Sequence, residues 1–70
     1  MKYTLSDIKI AAYNAIHNGM KEPPDLTPRQ HTLFLGLAYC YEYNKHHPES
    51  TEDCKRLAEN YITLFWGDDI

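Results

Sequence analysis

The chain has 70 residues, a formal net charge of −3 and an isoelectric point near 5.7. That length holds one domain at most, and the acidic balance argues against a phosphate-tracking protein, which carries a basic stripe and an isoelectric point above roughly 9. A chain this short buries only roughly 60% of the surface its unfolded form exposes, so stability is marginal and a crosslink, a metal or a second copy is the usual remedy.

Three helix-start signatures recur at twenty-three-residue spacing: Thr4-Leu5-Ser6-Asp7, Thr27-Pro28-Arg29-Gln30 and Ser50-Thr51-Glu52-Asp53. Each offers a hydroxyl for orphan backbone donors and, three residues on, a carboxylate or amide that reaches back. The first predicts a helix from about Leu5 to Asn18, with Tyr3 and Ile8 as a hydrophobic staple and Asn18-Gly19 as a left-handed stop. Its apolar face is Leu5, Ile8, Ala11, Ala12, Ala15 and Ile16, and three alanines there predict close helix approach.

Residues 20–26 form a short stiff connector, because Pro23 and Pro24 amid charge cannot continue a helix. Helix 2 starts at Pro28 and runs to about Lys45 or His46, where Pro48 ends it. One face carries Leu33, Phe34, Leu37, Ala38 and Tyr41, and a second stripe of Leu35, Tyr39 and Tyr43 lies nearly opposite. A helix apolar on both sides is normally covered on both sides, which predicts a central helix or the seam of an oligomer. Gly36 and Cys40 add a small-x-x-x-small pair that admits another helix closely.

Helix 3 is expected from Thr51 to about Trp66, with Cys54, Leu57, Ala58, Tyr61, Leu64 and Phe65 inward, Gly67 as its stop and Asp68-Asp69-Ile70 as a frayed tail. Strand alternation is absent. The expected architecture is a single all-α, three-helix domain over residues 1–70, with helix 2 central, helices 2 and 3 in an antiparallel hairpin, and two such chains forming a dimer.

Met1-Lys2-Tyr3-Thr4 leads into no signal-peptide pattern, and the longest apolar run, Leu33 to Tyr41, is less than half of a membrane span of about 20 residues. A cytoplasmic protein away from membranes is expected, and only two cysteines fit that compartment. Cys40 and Cys54 lie almost symmetrically about the turn near His47. Ordinary buried thiols are the first reading. A disulfide under oxidising conditions, or a metal site completed by His46 or His47, are the alternatives. Structural zinc sites usually draw two ligands from one tight turn, whereas these cysteines stand on separate helices. Ser6 and Ser50 serve as helix starts and no histidine adjoins a nucleophile, so no catalytic set, metal or cofactor is assigned.

Six Tyr, two Phe and one Trp are more aromatic surface than three helices can shelter. Leu35, Tyr39, Tyr43, Ile10, Tyr13, Ile62 and Trp66 fall on secondary faces and are the expected partner-binding set. The last third, residues 49–70, carries two basic side chains against six acidic ones, read as a solvated helix face. Together these features predict a non-enzymatic protein–protein interaction module, homodimeric, acting as a regulator or inhibitor on a larger macromolecule. Its small size suits proteins that phages and mobile elements encode.

The segment Leu26-Thr27-Pro28-Arg29-Gln30 resembles the opening of the first helix in winged-helix repressors and related helix-turn-helix regulators. The resemblance implies a short turn followed by a basic recognition helix. Here helix 2 is long and tyrosine-rich and helix 3 opens on Glu52 and Asp53, so DNA binding stands as the alternative function, with a metal or redox module built on the Cys and His residues as the second. DNA binding requires Lys9, Lys21, Arg29, Lys45, Lys55 and Arg56 to gather on one face.

Overall fold

The computed structural model describes residues 3–66. Three helices follow in chain order, α1 (Leu5–His17), α2 (Pro28–His46) and α3 (Thr51–Phe65), with a 3₁₀ turn, Pro48–Ser50, leading into the last. No strand occurs among the described residues. The expected glycine stop at Gly67 and the tail beyond it lie outside them.

Two of the three helix starts form as read. The Asp7 amide donates to Thr4 Oγ1 at 3.1 Å while the Thr4 amide donates to Asp7 Oδ2 at 2.9 Å. Thr27 and Gln30 repeat the exchange at 3.1 and 3.0 Å, with Pro28 at the first helical position. The third does not form: Ser50 makes no side-chain cap. Pro48 starts a 3₁₀ turn that runs straight into α3, closed by the Ser50 amide on the His47 carbonyl at 2.9 Å. Ser50 therefore has φ −99° and ψ 21°, away from the extended conformation that lifts a capping hydroxyl over the next turn. Thr51 takes up the local polar groups instead, donating its hydroxyl to the Pro48 carbonyl at 2.8 Å and accepting from Asn44 Nδ2 at 3.1 Å.

Gly19 stops α1 at φ +65°, a left-handed conformation that costs glycine nothing. The connector that follows is pinned at two points along its middle. Tyr3 donates its hydroxyl to the Pro24 carbonyl at 2.6 Å, and His31 Nδ1 lies 2.8 Å from Glu22 Oε2.

α2 is the middle element. α1 and α3 each pack on it, and their backbones do not meet one another. The molecule is accordingly a slab, 36 × 27 × 16 Å, which leaves part of α2 uncovered. The core is Ile8 and Ala12 of α1 against Leu33, Phe34 and Leu37 of α2, with the small Ala11 and Ala15 completing the α1 side. α3 contributes no fully buried residue; Ala58, Tyr61, Ile62, Phe65 and Trp66 are partly buried against that core. The predicted close approach at Gly36 is made to α3, since a Cβ at Gly36 would lie 3.0 Å from the Tyr61 ring.

Candidate interaction surface

The second stripe of α2 lies open. Leu35, Tyr39 and Tyr43 are 52%, 62% and 44% exposed, at the four-residue spacing that places side chains on one helix face. They stand away from the buried Leu33 and Leu37, on the side of the helix that α1 and α3 leave uncovered. Tyr43 is held by stacking on His47, ring centroids 4.4 Å apart.

α3 extends this face with two residues that the sequence reading placed inward. Leu57 and Leu64 are 40% and 63% exposed, seven residues apart on one flank of the helix. Cys54, Ala58, Tyr61 and Phe65 turn toward α2 instead, and Tyr61 lies against Gly36. The sequence does carry the signal: Leu57 and Leu64 share their flank with Asp53 and Asn60, the polar company of a boundary rather than a core position. Leu57 closes a groove of about 290 Å³ with Tyr39, Cys40, Tyr43, Asp53 and Cys54. Glu42, His46 and His47 continue it along α2 beside Tyr39 and Tyr43.

The remaining expected contact residues do not join this face. Ile10 is 58% exposed, but on α1. Tyr13 stacks on His17 at 4.2 Å and meets Tyr41 edge-on at 6.1 Å, and Tyr41 is turned about 160° round α2 from Tyr39 at 3.6 residues per turn. Ile62 and Trp66 are partly buried against the core, so the placement of both on open secondary faces is corrected. Ile62 lines a second cleft of about 240 Å³, floored by Leu37 and Tyr41 and flanked by Lys9 and Lys55.

The six basic residues are spread over the molecule. Arg29 donates to the Leu64 carbonyl at 3.2 Å at one end of α2, and Lys45 donates to the Ile16 carbonyl at 3.4 Å near the other. Arg56 sits 3.5 Å from Asp53 on the outer side of α3, and Lys9 and Lys55 flank the second cleft. Lys21 belongs to the connector.

Cys40 and Cys54 are both free thiols, the first buried and the second half-buried, and both line the groove under Tyr39 and Tyr43. Burial pushes the Cys40 thiol above its ordinary range, and the neighbouring Cys54 adds to the shift. Burial likewise raises the Tyr41 phenol, with Cys40 as the lesser cause. Among the described residues no group of three or more His, Cys, Asp and Glu side chains is placed to hold a metal ion, and no helix is long and apolar enough to cross a membrane. Comparison of the chain with protein-family models, curated proteins and solved structures finds no match.

Proposed function

We propose that this chain is a non-enzymatic protein–protein interaction module whose contact surface is the open α2 stripe of Leu35, Tyr39 and Tyr43, widened by Leu57 and Leu64 of α3. The observation that carries this reading is the exposure of three large side chains along the middle of the central helix, where a monomer of this size has most need to bury them. Tyrosine supplies apolar area and a hydroxyl with few rotatable bonds, which is why it is enriched at binding hot spots.

The scaffold beneath this surface is an antiparallel hairpin of α2 and α3. Contacts run in opposite chain directions along the two helices: Arg29 with Leu64, Gly36 with Tyr61 and Asn44 with Thr51. Such a pairing presents one continuous side made from both helices.

The same surface pairs two copies of the chain about a two-fold axis, so that the stripe on one protomer meets the stripe on its partner. A larger protein partner competes for that face, and the module then acts as a regulator or inhibitor by occupying its target. Self-association and target binding exclude each other, because both use Leu35 and Tyr39.

Sedimentation at low and high micromolar concentration tests this reading. The native chain is expected to approach twice its 8.2 kDa mass as concentration rises, whereas Leu35→Glu and Tyr39→Glu stay at the single mass with unchanged helical circular dichroism. A native chain that remains at the single mass throughout removes self-association through this face.

A further inference from the structure

The seam between α2 and α3 is bracketed by two contacts. Toward the linking turn, Asn44 Nδ2 donates to Thr51 Oγ1 at 3.1 Å. Farther along, Gly36 lies so close to Tyr61 that an added Cβ would fall 3.0 Å from the ring. Cys40 is four residues from each bracket on α2. The midpoint on α3 is position 56, so Cys54 stands two residues, about 3 Å of axial rise, from the level of Cys40. Both thiols line one groove, and both are reduced. A disulfide needs Cα atoms roughly 4.4–6.8 Å apart, and the close approach of the two helices at Gly36, one turn from Cys40, favours such a separation.

We propose that Cys40 and Cys54 are a thiol pair that closes to an intramolecular disulfide across the α2–α3 seam, a modification site that staples α3 to the central helix. A disulfide of the glutathione class is the co-reactant. Cys54 is half-buried on the groove and reacts first. Its thiolate attacks one sulfur of the oxidised glutathione, the glutathione S–S bond breaks, and one glutathione leaves as a thiolate, giving a mixed disulfide at Cys54. The Cys40 thiolate then attacks the Cys54 sulfur and expels the second glutathione. Two protein thiols are oxidised, one glutathione disulfide is reduced to two thiols, and the two protons released by the cysteines end on the two leaving groups.

Burial raises the Cys40 thiol above its ordinary range, so the closing step quickens as pH rises. The bond closes a loop between positions fourteen residues apart, around the element that has no fully buried side chain of its own.

The experiment treats the purified full-length chain with oxidised glutathione and follows intact mass, titratable thiols and the melting midpoint. Expected are the loss of two hydrogens, no titratable thiol, a monomeric band on a non-reducing gel, and a rise in midpoint on the order of 10 °C that dithiothreitol reverses. Cys40→Ala is expected to stop at the Cys54 mixed disulfide, with the mass of one glutathione added. A native chain that stops at that same adduct, or that crosslinks only between molecules, overturns the proposal, and neither result depends on a variant folding.

Discussion

The two seams of α2 are built differently. Against α1, Ile8 and Ala12 are fully buried on Leu33, Phe34 and Leu37, with the small Ala11 and Ala15 packed beside them. Against α3 nothing on the partner helix is fully buried, one glycine and one tyrosine set the approach, and a groove remains open beside Cys40 and Cys54. The first seam holds the buried core, while the second leaves apolar surface exposed.

The largest expected effect follows from that asymmetry. Ile8→Ala removes a fully buried side chain and is expected to cost about 2–5 kcal/mol, enough to unfold much of the population at room temperature. Leu57→Ala, at a position 40% exposed, is expected to cost less than about 1 kcal/mol. Urea titrations of the two variants measure the difference directly, and equal costs would mean that Leu57 is packed as Ile8 is rather than turned outward.

A second, smaller effect belongs to Gly36. A methyl group there must push the Tyr61 ring back from 3.0 Å, an overpacking cost of about 1–3 kcal/mol that the better helix propensity of alanine offsets by about 1 kcal/mol. Gly36→Ala is expected to lower the denaturation midpoint and to increase hydrogen exchange in α3 more than in α1. Exchange that rises equally in both helices would place the close approach elsewhere.

The smallest effect is a pH dependence. Cys40 and Tyr41 hold their protons more tightly in the folded chain than in the unfolded one, chiefly because burial disfavours their charged forms. Their contribution to stability is complete below the unfolded thiol range and is lost as pH rises above roughly 8.5 toward the folded values. Melting midpoints are therefore expected to fall between neutral and strongly alkaline pH, with a shallower fall in Cys40→Ala. An identical slope in that variant would assign the loss to other groups.

Features set within four residues were readable from the sequence. The capping boxes at Thr4 and Thr27, the glycine stop at Gly19 and the separation of the two α2 faces all depend on local spacing, and the structure has them. The third cap was misread because the four-residue link between α2 and α3 carries Pro48, whose fixed φ makes a turn where an extended residue was needed. The faces of α3 are not readable from local spacing for a different reason. Periodicity identifies an apolar arc, but the Gly36–Tyr61 contact, between residues far apart in the chain, decides which part of the arc meets α2. It turns Leu57 and Leu64 outward and leaves Ile62 and Trp66 against the core.

Backbone amide correlation spectra of nitrogen-labelled protein, recorded across a dilution from high to low micromolar concentration, test the contact surface most directly. Concentration-dependent shifts centred on Leu35, Tyr39 and Tyr43 are expected, with Leu57 and Leu64 moving alongside and Ile10 and Tyr13 still. Spectra that do not change with dilution, or shifts centred on Ile10 and Tyr13, would contradict it.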